Sequence, residues 1–390
     1  MVSLLLAIIY VAFISLGLPD SLLGSAWPIM QGQLGVPLSY AGIITMIIAA
    51  GTIVSSLFAD RVIRKLGTGL VTAISVALTA AGLMGFSLST EFWMICVLAI
   101  PYGLGAGAID AALNNYVALH YASRHMSWLH CMWGVGASIS PFIMSFALTS
   151  LESWSDGYLI VSVIQAVLSA IIFISLPIWS KGASTGEAAQ VEQAKSLNFR
   201  QIISIKCTIP CFLTFFCYCA LELTTSLWAS SYLVQKWAFS PEAAAGFASM
   251  FYIGVTVGRF ANGFLAMKLD DHFLIRMGIV IITAGIGLLL IPFHSVFALI
   301  GFVVIGLGCA PIYPCIIHMT PSVFGRDKSQ ALIGVQMAFA YIGFLVMPPL
   351  FGVIAEYISI SLLPVYQLAL LALMFAMHEY VARNKAPQQI

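Results

Sequence analysis

Three acids and one base lie inside apolar runs of this chain, and their types and spacing point to proton chemistry. Asp20 falls in the first run, Asp110 in the fourth, Glu222 in the seventh and Arg259 in the eighth. At mid-membrane an ionisable side chain costs about 2.5 to 3.5 kcal/mol on insertion scales, so each one needs a partner, a watery cavity or a neutral form. If Arg259 compensates one carboxylate, at least one other must be protonated much of the time, because a low-dielectric site disfavours the charged form. A carboxyl that exchanges a proton is a coupling device. Asn114 follows Asp110 by four residues and shares its helical face, and Gly103 and Gly107 let another backbone approach. The competing reading of Asp110 is a permanently hydrogen-bonded link between helices. Gly17-Leu18-Pro19-Asp20 predicts a helix break, at which Asp20 either takes part in coupling or satisfies freed backbone donors. Glu222 stands four residues from both Tyr218 and Ser226 on one polar face, and the competing reading there is a pair with Arg259 that serves folding alone.

Aromatic faces beside amides suit polyhydroxylated ligands. The candidate substrate contacts are therefore Trp27, Trp133, Tyr218, Trp228 and Tyr313 with Asn114, Asn115 and Gln336. Because Trp and Tyr also gather at membrane interfaces, Trp27 and Trp237 have a second reading as belt residues. His130 and His318 fall towards the cytoplasmic ends of the fifth and tenth runs, where helix packing is a simpler explanation than a proton relay. The eight Cys show no zinc-type CxxC and read as small hydrophobes. No zinc-ligand cluster, Walker-type phosphate loop or nucleophile elbow is present in the sequence. The expectation is a protein that is not an enzyme, holds no metal or cofactor and draws its energy from an ion gradient.

The elements that position these groups follow from composition. Of 390 residues 61% are hydrophobic and 8% charged, against roughly 25% charged in soluble domains. A net charge of +1 leaves no basic surface for nucleic acid. Apolar runs begin near residues 4, 38, 67, 93, 127 and 158, then near 205, 242, 272, 296, 329 and 358, which predicts twelve membrane-spanning helices in two groups of six. Residues 181–195 form a polar, small-residue stretch that reads as a linker. The domain division is then 1–180 for the first six-helix bundle, 181–200 for a cytoplasmic linker and 201–390 for the second bundle. With both termini in the cytoplasm, fourteen of the sixteen Lys and Arg fall on the cytoplasmic side, Lys236 falls outside and Arg259 within the membrane. An offset of 203 lays Gly51 over Gly254 and Gly103 over Gly306, which suggests a duplicated unit.

Ser56-Leu-Phe-Ala-Asp60-Arg61-Val-Ile-Arg64-Lys65 after the second run resembles the G-x-x-x-D-R-x-G-R-K signature of the major facilitator superfamily, with Ser56 and Ile63 in place of its two glycines. That resemblance implies an all-α integral membrane fold of two pseudo-symmetric six-helix bundles. It also implies a cytoplasmic gate of Asp60, Arg61, Arg64 and Lys65, in which Asp60 caps a facing helix that begins near Ser329. Gly105-Ala-Gly-Ala-Ile-Asp110-Ala-Ala-Leu-Asn114 is similar to the acid-then-asparagine pattern of the fucose:proton symporter family, as is the stretch from Tyr218 through Glu222 and Trp228 to Tyr232. By that resemblance Asp110 is the titrating acid and Asp20 a candidate partner in substrate contact or coupling. The expected activity is proton-coupled uptake of a monosaccharide or similar polar solute by alternating access. The expected partners are the solute, protons and membrane lipid, with no nucleic acid. The expected form is a monomer in the cell membrane, that of a bacterial inner membrane. A proton-driven exporter of drugs or metabolites uses the same acids with a more apolar cavity. A non-transporting sensor or scaffold binds ligand without flux.

Overall fold

A computed structural model describes residues 2–120, 123–183 and 199–384. Among the described residues, eleven stretches are long and apolar enough to cross a membrane, and the last, Leu332–Asn384, is 53 residues long and holds two helices. The twelve passes are α1 (Val2–Asp20 and Leu22–Gln33), α2 (Ala41–Leu66), α3 (Thr68–Leu88), α4 (Phe92–His120), α5 (Ser123–Ser150) and α6 (Trp154–Ala183), then α7 (Thr208–Trp237), α8 (Pro241–Phe247 and Ser249–Leu265), α9 (Asp271–Leu289), α10 (Ser295–Cys309 and Ile312–Phe324), α11 (Arg326–Ile354) and α12 (Leu363–Asn384). No strand occurs among the described residues. In hydrocarbon every backbone N–H and C=O must be satisfied within the protein, which leaves helices as the spanning element for such a composition. Most of the linker expected at 181–200, namely 184–198, lies outside the described residues.

The helix ends follow local chemistry. Ser240 accepts a hydrogen bond from the Ala243 N–H and is followed by Pro241 at the first helical position of α8. Asp270 accepts from the His272 N–H and caps α9. Between α2 and α3 the chain turns at Gly67, whose φ of 79° a side chain would strain. In α1 the helix breaks at Ser21, directly after Pro19 and Asp20, because proline offers no N–H to the preceding turn.

The internal duplication is visible in backbone contacts. A Cβ added to Gly103 would stand 2.3 Å from the Ile48 carbonyl oxygen, and one added to Gly306 would stand 2.1 Å from that of Phe251. Both members of the second contact lie 203 residues beyond those of the first. The same offset carries Gly105 against the Ser75 oxygen, at 2.5 Å, onto Gly308 against the Gly278 oxygen, at 2.6 Å. Helices 2, 3 and 4 therefore pack as helices 8, 9 and 10 do, with glycines permitting the close approach that substitutes for a hydrophobic drive in lipid.

Within each half, hydroxyls and amides donate to oxygens of neighbouring helices. Ser21 donates to Ala137 O at 2.8 Å, Ser162 to Ala80 O at 2.9 Å, and Gln367 to the Thr225 hydroxyl at 2.7 Å. Ser140 donates to Leu18 O and Gln165 to Ser15 O. The halves meet along α5 with α8, α2 with α11 and α1 with α7. At the end opposite the chain termini, the Ser39 N–H donates to Glu356 at 3.0 Å and the Ser145 hydroxyl donates to the Glu242 carbonyl at 2.8 Å. At mid-depth the Ser138 and Thr256 hydroxyls are 3.3 Å apart. A cavity is left between the halves, bordered by α4 on one side and α10 on the other.

Candidate functional site

The cavity has a volume of about 270 Å³ and draws its walls from both halves. Its ionisable lining consists of Asp20, Asp110, His130, Glu222 and Arg259, set among rings that include Phe86, Tyr102, Trp133, Tyr252 and Tyr313.

Asp20 stands at the break in α1 and is exposed to the cavity. Its two oxygens accept from two other helices: Trp133 Nε1 of α5 donates to Oδ2 at 2.7 Å, and the Tyr102 hydroxyl of α4 donates to Oδ1 at 3.3 Å. The carboxylate therefore engages side chains across the bundle and not merely the backbone freed by Pro19. The position of Trp133 is fixed by Gly17, where an added Cβ would lie 2.0 Å from the Trp133 carbonyl oxygen. Three residues after Gly17, Asp20 is within reach of the indole edge.

Asp110 is half-buried on α4 and accepts from Asn114 Nδ2 at 2.9 Å, one turn further along the same face. Asn114 Oδ1 is buried and has no hydrogen-bond partner among the described residues. Asn114 is absent from the cavity lining and meets the cavity residue Asp110 through this hydrogen bond.

Glu222 and Arg259 lie in the second half, both nearly buried, with 3.2 Å between Oε1 and Nη2. The guanidinium also lies over the Trp133 ring, 4.8 Å from its centre. Arg259 is thereby occupied on two sides, by a carboxylate and by an aromatic face. Tyr218, one turn before Glu222, is fully buried, stacked parallel to Phe215 at 6.4 Å and absent from the lining. Tyr313 does line the cavity, with its hydroxyl 3.5 Å from Met337 Sδ and its ring 5.9 Å from that of His130.

Several residues expected to touch a solute do other work. Trp27 is completely buried and donates its indole N–H to the Leu38 carbonyl at 2.8 Å, so it is neither a cavity residue nor a belt residue. Trp228 is equally buried and donates to the Pro348 carbonyl at 2.9 Å. Gln336, also inaccessible, accepts from Thr320 at 3.1 Å and donates to Cys211 Sγ at 3.5 Å. In each case a buried polar group needs a partner, and the partner is found inside one half. Tyr218 is buried as well, held by its stacking on Phe215 and not by a hydrogen bond among the described residues. His318 pairs with Asp271 at 2.7 Å on an exposed face and is absent from the cavity lining.

Of the expected gate, Arg61 and Lys65 are exposed, and Arg61 stands 5.8 Å from the centre of the Phe58 ring. The side chains of Asp60, Arg64, Asn115 and Ser329 lie outside the described residues. Tyr102 was not anticipated. It stands two four-residue steps before Asp110, through Ala106, and both of these also line the cavity, so the spacing that singled out Asn114 also leads to Tyr102.

Residues 9–282 and 210–389 match the Major Facilitator Superfamily. A Saccharomyces cerevisiae protein named Bypass of stop codon protein 6 is 21% identical over 385 residues, covering 91% of this chain and 77% of that protein. A Bacillus subtilis protein named as a glucose/mannose transporter is 22% identical over 363 residues, covering 86% of each. An Acinetobacter baylyi protein named cis,cis-muconate transport protein is 22% identical over 271 residues, covering 65% of this chain and 63% of that protein. Among solved structures, a bacterial homologue of the human lysosomal transporter Spinster superposes with a TM-score of 0.72 at 12% identity, over 98% of this chain and 96% of that one, which shows the shared fold. The chain belongs to the Major Facilitator Superfamily and is a multi-pass membrane transporter, not an enzyme.

Proposed function

We propose that this transporter couples the uptake of a small neutral polar solute, a monosaccharide or a near relative of one, to an inward proton gradient. The observation that carries the reading is the charge inventory of the cavity. Arg259 is taken up by Glu222 and Trp133, so the charged groups left to face a solute are the carboxylates of Asp20 and Asp110. Two carboxylates lining one cavity without a free guanidinium favour binding a proton, and they favour solutes that donate hydrogen bonds over solutes that carry negative charge. Phe86, Tyr102, Trp133 and Tyr252 supply the rings against which a sugar's C–H face packs. The similarity to a glucose/mannose transporter points the same way. The dianion named for the muconate relative fits this lining less well, because no unengaged guanidinium awaits a carboxylate.

In this reading protonation of Asp110 removes a buried charge, the solute binds beside Asp20, and the two bundles rock so that the cavity exchanges one side of the membrane for the other. Both termini face the cytoplasm. With that orientation, the contacts of Ser39 with Glu356 and Ser145 with Glu242 close the outer side, and the cavity belongs to an inward-facing state. The chain acts as a monomer in the cell membrane, and the gate residues Asp60, Arg61, Arg64 and Lys65 close the inner side in the other state. A proton-driven exporter is the second reading, favoured by apolar lining residues such as Leu23, Leu227 and Phe344. Uptake of labelled monosaccharides into proteoliposomes with an alkaline interior separates them. Accumulation above equilibrium for a neutral sugar, and none for the matching sugar acid, is the expected result. No accumulation of any sugar, with extrusion of apolar dyes by the same folded protein, would overturn the uptake reading.

A further inference from the structure

Trp133 touches both charge systems of the cavity, one in each half. Its indole N–H donates to Asp20 of the first half at 2.7 Å, and its ring carries Arg259 of the second half at 4.8 Å. Arg259 in turn meets Glu222 at 3.2 Å. The series Glu222, Arg259, Trp133, Asp20 thus crosses the interface between the bundles through a single aromatic side chain. We infer that Trp133 is a positioning residue through which the Glu222–Arg259 pair of one half sets the proton affinity of Asp20 in the other.

The physical route has two parts. An indole N–H aimed at a carboxylate oxygen stabilises the charged form, so its alignment changes how readily Asp20 accepts a proton. The Trp133 backbone packs against Gly17, the guanidinium covers the face of the ring, and the ring of Tyr252 stands edge-on at 6.2 Å. Displacing Arg259 therefore frees the ring to tilt and weakens the bond to Asp20. The other groups around Asp20 are Tyr102, which donates to its second oxygen, and the carboxyls of Asp110 and Glu222, which line the same cavity. Tyr158 and His130 also line the cavity around it. None of these touches both carboxylate systems. The inference rests on the proton-coupled reading and adds to it a route by which movement at the interface alters proton binding.

The test needs no knowledge of the solute. Infrared spectra of the full chain in lipid, recorded from about pH 4 to about pH 9, follow the protonated carboxyl band, and Asp20→Asn identifies the part that belongs to Asp20. Trp133→Phe keeps a ring for Arg259 and removes the donor. The expected result is a rise of about one pH unit in the Asp20 midpoint, a tenfold gain in proton affinity. Glu222→Gln is expected to displace the midpoint with Trp133 present and to displace it less than half as far in the Trp133→Phe background. Should Glu222→Gln not fold, Glu222→Asp keeps the charge and withdraws it from Arg259, with the same expected contrast. An unchanged midpoint in Trp133→Phe, or equal displacement in both backgrounds, overturns the role of Trp133 while leaving proton coupling standing. Absence of any titrating carboxyl in the unmutated chain overturns the proton-coupled reading and this inference with it.

Discussion

Where the first half of the chain carries Asp110, the second carries Tyr313 at the position 203 residues on, and where the second half carries Arg259 the first carries Ser56. All four sit on helices whose backbone packing repeats between the halves, through Gly103 with Ile48 and through Gly306 with Phe251. The duplicated backbone has thus been filled with different charges. The first half holds its acids against neutral donors, Trp133, Tyr102 and Asn114, in reach of the cavity. The second half holds its acid against a guanidinium, and both side chains are only about a tenth exposed at the cavity wall. The difference teaches how one scaffold divides two tasks. In the proposed reading a carboxyl bound by neutral donors gains or loses a proton without breaking an ion pair, whereas protonating Glu222 would cost its pair with Arg259.

Breaking the paired half is expected to have the largest effect on stability. Arg259→Gln leaves Glu222 as an unpaired charge in a nearly dry site, at a cost of about 3–5 kcal/mol. Thermal unfolding in detergent checks it, and adding Glu222→Gln to the same chain is expected to recover most of the loss. A single variant as stable as the parent would mean that the pair does not hold the second half. Next come the packing glycines, which test whether the backbone plan is shared. Gly103→Ala and Gly306→Ala each force a methyl against a carbonyl and should each destabilise by about 1–3 kcal/mol. Similar losses in both halves sharpen the comparison, and a loss confined to one half blunts it. The smallest effect is expected at the buried indoles. Trp27→Phe and Trp228→Phe each leave one carbonyl, of Leu38 and Pro348, without its donor, worth about 1 kcal/mol. The half-saturating solute concentration should not change, and a large rise would return these residues to the binding site.

How much of this was legible in the sequence depends on what kind of contrast carries the information. Charge against hydrocarbon is a sharp contrast, so Asp20, Asp110, Glu222 and Arg259 stand out, and the fixed offset of glycines discloses the duplication. Helix rotation is a weak contrast. In a membrane the lipid is as apolar as the protein interior, so an aromatic residue carries no mark of whether it faces lipid, a neighbouring helix or the cavity. Trp27, Trp228 and Tyr218 turned inward within their own half, and Trp133 turned to the interface, for reasons of packing that single residues do not reveal. Gln336 was placed by two partners distant in sequence, Thr320 and Cys211. Tyr102 is legible as well, since two four-residue steps along one face connect it to Asp110 through Ala106.

The central claim is that the first half carries the transported proton and the second half does not. It is tested most directly by recording alkalinisation of the outside medium when a neutral sugar is added to proteoliposomes, for the parent chain, for Asp110→Asn and for the doubly neutral Glu222→Gln, Arg259→Gln. Solute-dependent proton entry is expected in the parent chain, none in Asp110→Asn although solute exchange continues, and retained entry in the double variant. Proton entry that survives Asp110→Asn and disappears with the Glu222–Arg259 pair would contradict it.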